Sequence, residues 1–275
     1  MSSSARDKPS HVTSTAVTHN LPKRARCIEP VRGDLDRNLF LVGTLGFRED
    51  NEIYVLSYRG GESKTKIVFE LPHKEEVHQL ASSPHDARLF FTCPDGALHR
   101  LPASGSPPAA ATLEPVLRLP RSDGADAYHQ IAWSASSANK AVAVSYSRLE
   151  LWDVESGQAV KTALTASEGP FRRFYVARWD SHFDHQIWTI DRSSLRGWDW
   201  RSGKEAFTVE HAHEQGGRGL DINRNKPYHL VTAGDDSYMK FWDSRNLGDG
   251  PIKQIREAHT HWVTNVFYHP DYDQL

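Results

Sequence analysis

The chain has 275 residues, a formal net charge of -2 and a sequence pI near 6.7. A charge this close to zero argues against a nucleic-acid-binding protein that works through bulk electrostatics. The sequence contains no run of about 18 apolar residues, so no membrane-spanning helix is predicted. Its two cysteines, Cys27 and Cys93, are too few for a disulfide scaffold and form no CxxC zinc motif.

The N-terminal segment is rich in Ser, Thr, Lys and Arg and contains few large apolar side chains. Such a segment cannot bury enough surface to offset the entropy lost on ordering, so residues 1–26 are predicted to form a flexible tail. The tail also lacks the apolar core of a secretory signal peptide, which makes the cytosol the default compartment. The folded domain is predicted to span residues 27–275.

A repeat of about 45 residues organises that domain. Trp-Asp pairs recur at intervals of 46 residues (198 − 152) and 44 residues (242 − 198). Each pair ends a short alternating or apolar run that is typical of a strand. The three pairs are Trp152-Asp153, Trp198-Asp199 and Trp242-Asp243. The repeat extends towards the N-terminus, where Leu56 and His99 occupy the position of the tryptophan.

Strand-rich repeats of this length with Trp-Asp endings are typical of a WD40-type β-propeller, an all-β fold of four-stranded blades around an axis. The repeat endings predict about five blades, with a loop insertion at residues 104–110 inside the longest interval. A sixth repeat begins at Ala258, and its third strand is not reached by Leu275. The propeller is therefore predicted to be incomplete at its C-terminus.

The fifth repeat carries His213, Thr232, Asp236 and Trp242. A hydroxyl, an imidazole and a carboxylate also occur together in hydrolases, but such a triad is recognised by geometry and needs an oxyanion hole. No G-x-S-x-G elbow is present. The spacing favours a buried hydrogen-bond network that joins loop, turn and strands of the blade. The protein is accordingly predicted not to be an enzyme.

The other repeats carry only parts of this network. The fourth has Thr189, Asp191 and Trp198 without a clear opening histidine. The third has Ser145 and Trp152 without an obvious aspartate. These blades are predicted to depend more on apolar packing than on polar contacts.

Fifteen histidines raise the question of a metal site. Zinc needs three or four convergent ligands, and the short-spaced pairs offer two each. These pairs are His182 and His185, His211 and His213, and His259 and His261. The sequence predicts no metal and no cofactor, and no phosphate-binding glycine motif stands before a helix.

Blade-end loops are the places where a propeller is expected to bind partners, because loops on a rigid scaffold commonly carry function. Two repeats end in Trp-Asp-x-Arg, at Arg201 and Arg245. Each arginine either braces its turn by pairing with a carboxylate or contacts a partner, since arginine is enriched in interface hot spots. Trp200 is either an exposed anchor or packs on the neighbouring blade.

The chain resembles one WD40 family in particular, the EARP- and GARP-complex-interacting proteins. The resemblance covers roughly residues 27–275 and is densest from Ser194 onward. It is carried by Leu195-Arg196-Gly197-Trp198-Asp199, Ala212-His213, Leu220-Asp221-Ile222-Asn223, Lys240-Phe241-Trp242-Asp243-Ser244-Arg245-Asn246, His261-Trp262-Val263-Thr264-Asn265-Val266 and Asp273-Gln274-Leu275.

The resemblance implies a cytosolic, non-catalytic adaptor. Its partners would be subunits of vesicle-tethering complexes at endosomes and the trans-Golgi network, with no nucleic acid, small-molecule substrate or membrane insertion. An alternative function is that of a substrate receptor of a cullin-RING ubiquitin ligase, since receptors of that class resemble this chain in their paired Trp-Asp-x-Arg endings. Charge reversal at Arg201 and Arg245 would distinguish the two functions.

Overall fold

The computed structural model contains five four-stranded antiparallel sheets, each with its strands in sequence order. It describes residues 18–46, 50–60, 64–103, 113, 115–120, 126–165, 173–256 and 259–271, with backbone only over 158–165. The predicted loop insertion, the sixth-repeat start at Ala258, and residues 1–17 and 272–275 lie outside the described residues.

The sheets are the blades of the propeller and are numbered in chain order. Blade 1 contains β1 (Ala25–Pro30), β2 (Asn38–Thr44), β3 (Asn51–Tyr58) and β4 (Lys66–His73). Blade 2 contains β5 (Gln79–Ser82), β6 (Leu89–Cys93), β7 (Ala97–Arg100) and β8 (Pro115–Arg118). Blade 3 contains β9 (Gln130–Trp133), β10 (Lys140–Val144), β11 (Arg148–Asp153) and β12 (Gln158–Thr165). Blade 4 contains β13 (Phe174–Trp179), β14 (Gln186–Asp191), β15 (Ser194–Asp199) and β16 (Lys204–Val209). Blade 5 contains β17 (Gly217–Ile222), β18 (His229–Gly234), β19 (Met239–Asp243) and β20 (Lys253–Ile255), with the short 3-10 helix Leu247–Asp249 before β20.

The all-β architecture confirms the fold class predicted from the repeat. All five repeat endings lie in the third strand of their blades, the two that lack tryptophan included. His99 faces Phe90 across the β6–β7 pair, as Trp198 faces Ile187 across β14–β15. Both partners are the second residue of their strand, so the substitution of Trp by His leaves the register unchanged. The first strand begins at Ala25, two residues before the predicted start of the domain.

Apolar clusters fill the gaps between neighbouring blades. Leu41 and Ile53 of blade 1 pack with Leu80 and Phe90 of blade 2, and equivalent clusters join blades 2 and 3, 3 and 4, and 4 and 5. Successive side chains of a strand point to opposite faces of its sheet. A blade therefore buries both faces only when it has a neighbouring blade on each side. The core of the protein is therefore a series of layers between sheets.

The inner strands are also joined by side-chain hydrogen bonds, here called the glutamine clamps. Gln79 of β5 accepts from the backbone N–H of Ile131 at 3.0 Å and donates to its carbonyl at 3.4 Å. Gln130 of β9 makes the same two bonds with Ala177, at 2.9 and 3.0 Å. Each clamp links the first strand of one blade to the first strand of the next.

The segment after blade 5 packs against that blade without forming a strand over residues 259–271. Val263 and Val266 are buried against Val231 and Ala233. Val263 N–H donates to the carbonyl of Gly234 at 3.0 Å. Among the described residues no helix is long and apolar enough to cross a membrane.

Candidate functional site

The four residues singled out in the fifth repeat are in direct contact. The Nδ1 of His213 lies 2.9 Å from Oδ1 of Asp236, and its Nε2 lies 2.8 Å from the Thr232 hydroxyl oxygen. The indole N–H of Trp242 donates to the same oxygen at 2.9 Å. His213 and Thr232 are 0% exposed. A hydroxyl with no solvent access cannot meet a substrate, so this geometry is that of a buried polar network.

The turn between β18 and β19 is shaped to receive the imidazole. A side chain at Gly234 would place its Cβ 2.7 Å from Nδ1 of His213 and 2.4 Å from the carbonyl oxygen of Gly216. Only glycine permits this approach of backbone to ring. Burial raises the pKa of Asp236, but the hydrogen bond and charge of His213 outweigh it, so the pKa lies below the ordinary value.

Blade 4 replaces the histidine with a charged cluster. Trp198 donates to the Thr189 hydroxyl at 2.9 Å, as in blade 5. Asp191 instead accepts from Nε of Arg196 at 2.6 Å. The Arg196 guanidinium, 3% exposed, also contacts Glu205 at 2.7 Å and Glu210 at 2.6 Å. The sequence patterns did not reveal this cluster because its members come from different strands. Arg196 lies in β15, Glu205 lies in β16 and Glu210 follows β16.

Blade 3 lacks a hydroxyl at the equivalent position. Ala143 is the fourth residue of β10, as Thr232 is of β18, whereas Ser145 lies beyond the strand. Ser145 accepts from the backbone N–H of Arg148 at 3.1 Å. The indole N–H of Trp152 finds no acceptor among the described residues. The expected pairing of Ser145 with Trp152 is therefore not formed.

The aspartates of the Trp-Asp pairs hold the turn after the third strand. Asp153 Oδ1 accepts the backbone N–H groups of Glu155 and Ser156, at 3.0 and 2.9 Å. The equivalent oxygens of the other two pairs accept a backbone N–H from the arginine two residues on. Those bonds are Arg201 to Asp199 at 2.8 Å and Arg245 to Asp243 at 3.0 Å.

The two arginines also pair with these aspartates through their guanidinium groups. The nitrogen–oxygen distances are 3.1 Å for Arg201 with Asp199 and 2.6 Å for Arg245 with Asp243. These contacts lower the pKa of each aspartate to about 2. Both guanidinium groups remain largely exposed. The geometry matches the turn-bracing alternative.

Trp200 is buried, with 8% of its surface exposed. Its ring centroid lies 6.4 Å from that of Trp179 in an edge-to-face arrangement. It belongs to the apolar cluster between blades 3 and 4. Of the two alternatives for this residue, the structure shows the packed one, because a buried indole cannot serve as an exposed anchor.

The propeller face opposite to Arg201 and Arg245 carries a surface that the sequence patterns did not reveal. We call it the aromatic–arginine surface and define it as Tyr146, Arg173, Tyr175, Arg218 and Trp262. Arg173 lies over Tyr146 at 5.7 Å from the ring centroid, and Arg218 lies 5.6 Å from the centroids of both Tyr175 and Trp262. The Tyr146 and Tyr175 rings are 6.2 Å apart. Tyr146 is 39% and Trp262 53% exposed.

This surface spans blades 3, 4 and 5 and the segment after blade 5. It lies at the blade ends that carry the β10–β11 and β18–β19 turns, whereas Arg201 and Arg245 lie at the other ends. The residues are far apart in sequence and share no motif, so only the folded arrangement brings them together. Tyrosine, tryptophan and arginine, the residue types of this surface, are each enriched in protein-binding hot spots.

Comparison with known proteins gives the same family along nearly the whole chain. The family described as EIPR1 beta-propeller matches residues 13–275. The chain is 32% identical to "EARP and GARP complex-interacting protein 1" of Rattus norvegicus, over 94% of this chain and 73% of the relative. The protein of that name in Homo sapiens is 31% identical over the same shares. "WD repeat-containing protein DWA2" of Arabidopsis thaliana is 29% identical, over 95% of this chain and 75% of the relative. The chain belongs to the EIPR1 β-propeller family.

Proposed function

We propose that this protein is a non-catalytic adaptor that binds vesicle-tethering complexes of the EARP and GARP kind and so supports endosomal recycling and traffic between endosomes and the Golgi. The relatives' names state the interaction for those proteins. The observation in this chain that carries the proposal is the exposed aromatic–arginine surface. It offers a rigid contact area for a protein partner.

The chemistry of the surface favours a protein over other ligands. Tyr146 and Trp262 are amphipathic rings that lose few rotatable bonds on burial. The Arg218 guanidinium is held by Asp235 at 2.9 Å, so its orientation is fixed before a partner arrives. Aromatic rings with positioned arginines suit a partner segment that carries apolar and acidic side chains.

The proposed location is the cytoplasm, with peripheral association at endosomes and the trans-Golgi network. In this proposal the tether brings the adaptor to the membrane, and the propeller inserts no segment into lipid. The buried Thr232 hydroxyl supports the non-catalytic part of the proposal, because Thr232 and His213 are both 0% exposed and neither side chain can reach a substrate.

The test is affinity capture from cells, followed by mass spectrometry, with a surface variant and a matched control. Tyr146→Ala with Trp262→Ala removes the two most exposed rings of the aromatic–arginine surface. Ile252→Ala removes an apolar side chain that is 58% exposed at the other blade ends. We expect tether subunits to be recovered with the unsubstituted chain and with Ile252→Ala. Their recovery should fall at least tenfold with the double variant.

Two results would count against the proposal. Recovery of a cullin and its adaptor in place of tether subunits would direct attention to Arg201 and Arg245. Equal recovery of tether subunits with the double variant and the control would show that binding uses another surface.

A further inference from the structure

Blade 2 and the last strand of blade 1 together hold a second polar cluster that differs from the blade 5 network by one residue type. It consists of His73, Thr92, Asp95 and His99. The separation of the first histidine from the threonine is the same in both blades, 19 residues (92 − 73 and 232 − 213). His99 takes the register position that tryptophan takes in blades 3 to 5. An indole N–H cannot bind a metal ion, whereas an imidazole can.

We propose that His73, Asp95 and His99 form a binding site for a divalent transition-metal ion of the Zn²⁺ class, which ties the end of blade 1 to blade 2. One ligand atom from each residue lies within 4.8 Å of the other two. Two histidines and one carboxylate are a recurring ligand set for zinc and for iron. Blade 5 offers only His213 and Asp236 and lacks the third ligand.

The orientation of His73 supports metal ligation. Its Nδ1 lies 2.8 Å from the carbonyl oxygen of Glu75, and a carbonyl can only accept, so Nδ1 carries the proton. The other nitrogen, Nε2, then points at Oδ2 of Asp95 from 3.8 Å. That distance is too long for a hydrogen bond, and it exceeds by about 0.5 Å the separation of about 3.3 Å between nitrogen and oxygen ligands of one tetrahedral zinc ion, so a small inward shift of the side chains completes the site.

The carboxylate is positioned in the same way. Thr92 donates to Oδ1 of Asp95 at 2.6 Å, which leaves Oδ2 towards His73. Side chains that fix the ligands of a metal in this manner are typical of metal sites. The side chains of His73 and Asp95 are 8% and 4% exposed, and His99 is 2% exposed. The site is thus shielded from water and held between β4, β7 and the turn before β7.

One charge opposes a cation at this place. Nη1 of Arg118 lies 3.2 Å from Oδ2 of Asp95. Its side chain is 56% exposed and can turn outward into solvent when a metal takes that oxygen. Arg118 should therefore weaken metal binding without preventing it, and its removal provides a variant with the opposite effect.

The experiment uses the full chain, stripped of metal with a chelator and titrated with Zn²⁺ by calorimetry and with Co²⁺ by visible absorption. We expect one saturable equivalent per chain and a Co²⁺ absorption band typical of low-coordinate nitrogen and oxygen ligation. Zn²⁺ should raise the unfolding temperature, and chelator should reverse this rise.

Three variants and a control sharpen the test. His99→Trp restores the residue type of blade 5 and, like His73→Gln, should weaken binding at least 100-fold. Arg118→Gln should strengthen it about tenfold, because a positive charge beside the ligand oxygen is lost. His78→Gln removes an exposed histidine whose backbone N–H donates to the carbonyl of Cys93, two residues before Asp95, and it should change nothing. Circular dichroism checks that each variant folds.

The proposal is overturned if the unsubstituted chain shows no saturable equivalent, in which case His73 and Asp95 form an ion pair only. It is also overturned if His73→Gln binds like the control, since the metal would then sit on surface histidines. If His99→Trp fails to fold, the opposite effects expected of His73→Gln and Arg118→Gln still decide the matter.

Discussion

Blades 3 and 5 have the same strand order and register but differ in what lies beneath their tryptophans. In blade 5, Thr232 accepts from Trp242 while His213 and Asp236 complete the network. In blade 3, Ala143 stands in place of the threonine, and Trp152 is buried as deeply without an acceptor in the described part of the chain. The fold thus tolerates loss of the polar network where apolar packing on both sides is complete.

Blade 4 should lose the most when its version of the network is broken. Arg196→Met would leave the Asp191 carboxylate buried without the opposite charge that it now contacts, at a cost of about 3–5 kcal/mol. Urea unfolding measures the loss. Arg201→Met, which removes an exposed partner of Asp199, should leave the midpoint unchanged. Equal effects of the two substitutions would show that the buried cluster adds nothing beyond a surface pair.

Breaking the blade 5 network should have the next largest effect. Thr232→Ala removes one oxygen that serves two buried groups, the Trp242 indole and the His213 ring, and should cost about 2–3 kcal/mol of unfolding free energy. Thr232→Ser keeps the oxygen and should cost less than half as much. A value for the alanine variant no larger than that for the serine variant would contradict the role assigned to the network.

The stabilities of blades 3 and 5 should also respond differently to acid. Burial lowers the pKa of His129, which stacks on Tyr146 in blade 3, to about 4. In the unfolded chain this residue is protonated near pH 6.5. The contribution of His129 to the free energy of unfolding is therefore fully present above that pH and is lost as the pH falls towards 4. At pH 5 the loss is about 2 kcal/mol.

His129→Phe keeps a ring against Tyr146 and should remove this part of the pH dependence. Urea midpoints at pH 7, 6 and 5 for both chains provide the measurement. The blade 5 carboxylate, Asp236, has a lowered pKa and should lose its contribution only at more acidic pH. An unchanged slope between pH 7 and 5 in the variant would assign the titration to another group.

Completing the contact in blade 3 should give the smallest change. Ala143→Ser places a hydroxyl where Thr232 has one, and acceptance from Trp152 should stabilise the chain by about 1 kcal/mol. Ala141→Ser is the control, because Ala141 is equally buried on the same strand but takes the register position of the apolar Leu230 in blade 5. That substitution should destabilise the chain. If both variants lose the same stability, the lack of room for a hydroxyl, rather than the missing acceptor for Trp152, limits the stability of this blade.

The sequence predicted the fold and the contacts of blade 5 because a fixed spacing places the same side chains in the same register. It misplaced the blade 3 partner at Ser145, since composition does not reveal that β10 ends one residue earlier, at Val144. The repeat spacing also predicted the position of His99. It did not predict the contact with His73, because His73 belongs to the preceding blade. Contacts across blades, including the aromatic–arginine surface, depend on the angle between sheets and carry no local pattern.

The glutamine clamps give the inner wall of the propeller a continuity that ordinary strand pairing lacks. A primary amide has the donor and acceptor of a peptide group, so Gln79 and Gln130 each act as an extra piece of backbone that crosses from one sheet to the next. A displacement of one inner strand is then passed to its neighbour instead of being absorbed in the apolar layer. Loops on blades 2, 3 and 4 consequently keep their spacing, and a partner that spans them meets a surface organised before association, which lowers the entropy lost on binding.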